Sequence, residues 1–295
     1  MTPEDAVLAL GQASRYASWR SEDRGRSSRP ADVDTRTAQR LVRSWLPAGE
    51  SGIVGLDAER TVELLRCVGI GVVESVVVHD ADEAVAAARR VGWPVALKTT
   101  VPALRHRADL GGVRLDIVDE QVLRDDVEQM LELSWARQPD TDAATGPVDV
   151  DPASGRAPLE VQHMVPGGVA CVLRTSEDPL FGPVVSFGLA GDASDLLGDV
   201  CYGIPPLTDV DVATLIRMPR AAPRLFGYRG LAPMDHAALE DLVARVAALA
   251  EDIPEIRSLE LHPVVVGLHG LHVLAARVQL AAASRADGMR RVLPA

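Results

Sequence analysis

The chain has 295 residues, 47% of them hydrophobic and 24% charged, with a formal net charge of −12. That length holds two lobes of ordinary size, and the composition is that of a folded globular protein. The acidity argues against a nucleic-acid partner, which would need a basic stripe, and no apolar run is long enough to span a membrane. Aromatic residues make up only 3%, so the cores must be built from Val, Leu, Ile and Ala. The chain opens on the polar Thr2-Pro3-Glu4-Asp5 and not on a signal peptide, and Cys67, Cys171 and Cys201 have no metal-type spacing. Buried free thiols in a reducing, cytoplasmic setting are therefore expected.

Residues 1–20 read as an amphipathic helix with Val7, Leu8, Leu10, Tyr16 and Trp19 as its apolar set. Ser21 to Asp34 is polar and turn-rich, as a linker would be, and Thr35 to Leu46 is helical again. Asp57 caps a helix ended by Gly69, and a strand follows over 72–78. Asp80 with Glu83 resembles a capping box for a helix that Gly92 closes. Strands at 94–97 and 113–117 and a helix over 120–135 complete a first α+β lobe. Residues 138–158, rich in Pro, Asp, Ala and Gly, read as a flexible insertion. Strands then fall at 159–165, 169–175 and 183–189, helices start at Thr208 and Asp235, and strands at 258–266 and 271–280 close a second lobe. The expected division is a helical linker at 1–55, a first lobe at 56–137, the insertion at 138–158, a second lobe at 159–282 and a tail at 283–295.

The chemistry concentrates between Pro94 and Val113. A buried strand delivers one cation, Lys98, at its end; His106 follows eight residues later, and Gly111-Gly112 opens the next strand. An ammonium on a rigid strand beside a glycine-bearing loop suits phosphate, because glycine lets backbone N–H groups approach closely. A strand-end lysine and a Gly-Gly hairpin also occur in proteins that bind nothing, and His106 between Arg105 and Arg107 also reads as a solvated basic loop.

Taken together, PVALK at 94–98, HRADLGGVRL at 106–115, VQHMVPGGV at 161–169, DPLFGPVVSFGLAG at 178–191, PPLTD at 205–209, GYRG at 227–230 and LELHPVVV at 259–266 occur in one order. In that order they resemble the ATP-grasp domain of the NDP-forming (ADP-forming) acyl-CoA synthetases, a family that includes the acetate–CoA ligases and is related to the succinyl-CoA synthetase β chain. The resemblance covers about three quarters of the chain. It implies an ATP-grasp fold of two α+β lobes clasping ATP or ADP, and an acid–thiol ligase activity. The CoA-binding and ligase domains would be supplied by a partner chain, and a phosphoryl group would pass between the nucleotide and a histidine. It makes Lys98 a phosphate contact, His106 a phosphoryl relay and Gly111 and Gly112 the lid. Val161, Gln162 and His163 become the hinge that reads adenine through its backbone.

The sequence departs from that family at its metal ligands. His262 replaces the Asn of an acidic-x-Asn-Pro motif, leaving Glu260 as the acidic member, and Ala275 stands where a Leu-Asp-x-Arg motif has Asp. Magnesium wants oxygen ligands, and alanine supplies none. Glu260 and His262 are thus weak metal candidates and Mg2+ is in doubt. His262 also reads as a packed strand-end histidine. The alternative to a working ligase component is a catalytically weak ATP-grasp module that senses nucleotide or serves as a scaffold, partnering an acetyltransferase or a CoA-binding protein.

Overall fold

The computed structural model describes residues 2–21, 23–46, 52–101, 104, 110–136 and 157–283. In chain order its elements are α1 (Pro3–Ser21), α2 (Thr35–Trp45), β1 (Val54–Gly55), α3 (Ala58–Cys67), β2 (Ser75–Val78), α4 (Ala81–Val91), β3 (Val95–Thr99), β4 (Val113–Ile117) and α5 (Glu120–Ala136). After these come β5 (Leu159–His163), β6 (Val169–Asp178), β7 (Gly182–Leu189), α6 (Asp192–Leu197), β8 (Val200–Gly203), α7 (Asp209–Arg217), α8 (His236–Asp252), β9 (Ile256–Val266), β10 (Leu271–Val273) and β11 (Ala276–Leu280). They form two compact units, a smaller one over 72–167 and a larger one made of 1–71 with 168–295.

In the smaller unit an antiparallel sheet of order β2-β5-β3-β4 has one face covered by helices α4 and α5. Val95 and Leu97 from β3, Leu159 and Val161 from β5, and Ala84, Ala88, Leu123 and Val127 from the helices make its core. The period of two along each strand sends Ala96, Lys98, Glu160 and Gln162 to the other face. Helix α4 starts as its sequence requires, with the Asp80 carboxylate accepting from the Glu83 N–H. Glu83 does not complete the expected capping box on Asp80; its carboxylate accepts instead from the backbone N–H of His79, one residue earlier.

The larger unit is built on a sheet of order β1-β11-β9-β6-β7-β8, with β10 paired to β9. Helix α8 buries Leu239, Leu242, Val243, Val246 and Leu249, and packs on β6, β7 and β9. Its start is tied down twice by Asp235, whose carboxylate accepts from the N–H of Ala238 at 3.0 Å and from that of Gly270, in the β9–β10 turn, at 2.8 Å. Helix α7 starts at Thr208 as the sequence predicts, closed by a full capping box of Thr208 and Asp211.

Two boundaries differ from those expected. Strand β5 lies in the smaller unit's sheet and not in the second lobe, because Leu159 and Val161 complete the core between β2 and β3. Helix α3 belongs to the larger unit, where it packs on α2 and β11. The presumed linker is also more than a tether. Ser27 pairs with Thr208, the Arg26 N–H donates to the Asp209 carboxylate, and Arg29 and Thr35 both donate to Asp252 at the end of α8. Ala38 and Val42 of α2 are fully buried. The apolar set of α1 stays exposed at Val7, Leu8, Leu10 and Tyr16. The expected insertion at 138–158 lies almost wholly, and the tail from 284 entirely, outside the described residues. Among the described residues no helix is long and apolar enough to cross a membrane.

The three cysteines carry no disulfide, and burial pushes the Cys171 thiol up to about 12, so it stays protonated and inert.

These contacts set two expectations. Asp252→Ala should destabilise the protein by about 1–3 kcal/mol, since it strands the Arg29 and Thr35 donors, and a urea melt reads this directly; an unchanged midpoint would mean the 23–46 segment is only a tether. Asp235→Ala should cost about 1–2 kcal/mol as a lost N-cap. The Ala238 and Gly270 N–H groups hold the Asp235 carboxyl below its ordinary value of 3.8. Its contribution is therefore complete above that value and is lost as pH falls through the lower folded value. Acid titration of the variant should accordingly show a shallower loss of stability below about pH 4 than the parent, the window in which an Asp with a lowered folded pKa takes up its proton.

Candidate functional site

The candidate residues fall into two groups, one in each unit. In the smaller unit, Lys98 is the penultimate residue of β3, on the face away from the helices. Its ammonium donates to Oε1 of Gln162 at 2.5 Å, and the Gln162 amide in turn donates to the Val73 carbonyl at 3.0 Å. Gln162 is 1% exposed, so its amide is fixed from both ends and fixes the lysine. Val161 and Gln162 sit in a central antiparallel strand, in register with β2 on one side and β3 on the other. In such a strand each N–H and C=O is taken by one neighbour or the other, so the backbone of these two residues is committed to the sheet. The Gln162 side chain, not its backbone, faces the lysine. His163 lies at the strand's exposed end, where its Nδ1 donates to the Gly92 carbonyl at 2.9 Å.

Gly111 and Gly112 open β4 as expected, for distinct reasons. Gly111 has φ +80°, a conformation L-residues avoid. At Gly112 an added Cβ would lie 1.9 Å from the Leu104 carbonyl oxygen, so only glycine lets these backbone segments meet. The Thr99 N–H donates to the Gly112 carbonyl, which ties the turn to the strand carrying Lys98. His106 lies outside the described residues.

In the larger unit, Glu260 sits near the middle of β9. It is in register with Arg174 of β6 on one side and Arg277 of β11 on the other, forming an Arg–Glu–Arg row across three strands. Arg174 Nε donates to the Glu260 carboxylate at 2.6 Å. Burial pulls the Glu260 carboxyl upward, but the Arg174 hydrogen bond and the nearby cations outweigh it and hold the group below its usual range. His262 Nδ1 is 3.9 Å from the Glu260 carboxylate. Its own value is lowered, first by burial and then by the charges of Arg174 and Arg277, against the opposing pull of Glu260 and Asp195.

Between Cys171 and Leu173 the partners on β9 jump from Val264 to Leu261, so β9 carries one extra residue at His262-Pro263. Such a bulge is one of the few places a strand accepts proline, and it re-aims the side chains around it. The His262 N–H donates to the Ala275 carbonyl at 3.0 Å, so the position expected to carry a second carboxylate lies directly beside His262.

As a donor set for Mg2+ these residues are short of free oxygen. Glu260 is already engaged by a guanidinium, Ala275 offers no side-chain oxygen, and His262 brings nitrogen donors where Mg2+ wants oxygen. Among the described residues no three His, Cys, Asp or Glu side chains converge as a metal-binding group. Arg174 escaped the reading of the sequence. Its signal was a lone cation closing the apolar run Val169-Ala170-Cys171-Val172-Leu173, on Ala170's side of the strand's alternation.

The sequence profile of the ATP-grasp domain matches residues 48–280. The β subunit of acetate–CoA ligase (ADP-forming) I from Pyrococcus furiosus is 32% identical over 202 residues, covering 68% of this chain and 82% of that subunit. Acetate–CoA ligase (ADP-forming) I from Archaeoglobus fulgidus is 31% identical over 281 residues, covering 94% of this chain but only 38% of that protein. Among solved structures, the dinucleotide-forming acetyl-coenzyme A synthetase 1 of Candidatus Korarchaeum cryptofilum superposes with a TM-score of 0.60 at 27% identity, over 82% of this chain and 99% of that one. That structure holds coenzyme A and Mg-AMPPCP, with a phosphohistidine segment pointing towards the nucleotide-binding site. With mixed helices and antiparallel sheets in the same fold, and with the profile spanning both units, the chain belongs to the ATP-grasp domain family of the ADP-forming acyl-CoA synthetases.

Proposed function

We propose that the chain is the nucleotide-binding component of an NDP-forming acyl-CoA synthetase. It moves a phosphoryl group between a nucleotide and a histidine during the interconversion of acyl-CoA and acyl phosphate. The observation that carries this reading is coverage: the alignment spans 82% of a relative named as a ligase β subunit, but 38% of a relative named as the ligase itself. On this reading it works with a CoA-binding and ligase portion, as a partner subunit or domain.

Within this reading the Lys98 ammonium holds the nucleotide phosphates, oriented by the buried Gln162 amide. Gly111 and Gly112 shape the covering turn, and the chain beyond Gln162, at His163 and after, meets the base. His106 is the phosphoryl relay, since an imidazole nitrogen is a competent nucleophile. A second reading rests on Ala275 and the Arg174–Glu260 pair. A site with a single carboxylate, already held by an arginine, suits a nucleotide sensor or scaffold better than a fast phosphotransferase. Phosphoryl exchange between nucleotide and acyl phosphate, measured with a CoA-ligase subunit present, separates the two: exchange that His106→Asn abolishes supports the enzyme, and nucleotide binding without exchange supports the sensor.

Calorimetry tests the phosphate assignment. Lys98→Ala should weaken ADP binding by about 1.5–3 kcal/mol, roughly ten- to a hundredfold, the scale of a hydrogen bond to a charged group. Gln162→Leu keeps the cation but frees it, and should weaken binding by a smaller factor. Unchanged affinity in Lys98→Ala would remove the lysine from the phosphates.

A further inference from the structure

Glu260 is the one acidic residue that the metal motifs leave in the larger unit, and it is not free to take a metal. Arg174 donates to it at 2.6 Å from the facing strand, Arg277 is level with it on the other side, and the residue beside His262 is an alanine. A divalent cation binding there would have to displace a guanidinium from its carboxylate and then lie between two like charges. For an anion the same row is favourable. Two guanidiniums flank one carboxylate, and each presents planar N–H donors whose spacing matches phosphate oxygens. Arg174 is also 41% exposed at its side chain, so the fork is accessible while one edge is held by Glu260.

We propose that Arg174 takes the place of the divalent cation at Glu260, so that this sheet face binds the polyphosphate of a nucleotide directly and without metal. Glu260 changes role accordingly, from ligand to anchor, fixing the Arg174 fork much as Gln162 fixes Lys98 in the other unit. The inference rests on the nucleotide-binding reading and deepens it: the ligand is the metal-free nucleoside di- or triphosphate, and not its magnesium complex.

The test is calorimetric titration of the full chain with ADP, once in excess EDTA and once in excess Mg2+. The expected result is dissociation constants within about threefold of each other, and an Arg174→Ala variant at least tenfold weaker in EDTA. Glu260→Gln gives an independent sign and keeps the side-chain shape should Arg174→Ala fold poorly. The Gln amide oxygen can still accept from Arg174, so the anchor is kept while a negative charge beside the phosphates is removed; ADP binding in EDTA should tighten, whereas losing a metal ligand would weaken binding only in the Mg2+ arm. Binding at least tenfold tighter with Mg2+, or a Glu260→Gln variant weakened in Mg2+ alone, overturns the inference and leaves the nucleotide-binding reading standing. Absence of ADP binding in both arms overturns both.

Discussion

Strand β9 must be apolar on one side and charged on the other, and the larger unit is arranged to satisfy that demand. Leu259 and Leu261 lie buried on one face of the strand, which α8 packs against, while Glu260 and His262 turn the opposite way. A charge in the middle of a sheet is costly unless it is paired, and the neighbouring strands supply cations at the matching register positions. The bulge at His262-Pro263 then resets the alternation, so that Val264 and Val266 return to the buried set. One strand thus seats the helix and displays the candidate site, and neither task can be altered without the other.

The smaller unit meets the same problem with a neutral group. A lysine projecting from a half-buried sheet face would lose hydration without a partner, and a buried glutamine supplies the acceptor. Because that glutamine is itself held by a backbone carbonyl, the ammonium is placed before any ligand arrives. Such preorganisation lowers the ordering cost of binding.

Much of this was legible in the sequence. Asp57, Asp80, Thr208 and Asp235 announce helix starts by local hydrogen bonds that need no tertiary context, and all four cap as expected. The strands around Lys98 and Glu260 could be read from their alternation, and the family from an ordered set of short motifs. Three things could not be read. The membership of β5 depends on which strands it lies between, a long-range fact that alternation does not encode. The docking of residues 23–46 depends on hydrogen bonds to groups about 180 to 220 positions away, made by polar residues that look identical to those of a solvated linker. Arg174 gains its meaning only from Glu260 across the sheet, 86 residues later.

The pairing of β1 with β11 has a consequence for how the protein is made. Val54-Gly55 bonds to Gln279-Leu280, so an edge of the larger sheet joins segments more than 220 residues apart, and the whole of 72–167 is threaded between them. During synthesis the smaller unit, continuous in sequence, emerges complete while the larger one still lacks β6 to β11. Domains generally fold as units as they leave the ribosome, so the lysine-bearing sheet can form early. The arginine–glutamate row must wait for the last strand, and until then the apolar side of α3 has no sheet to cover.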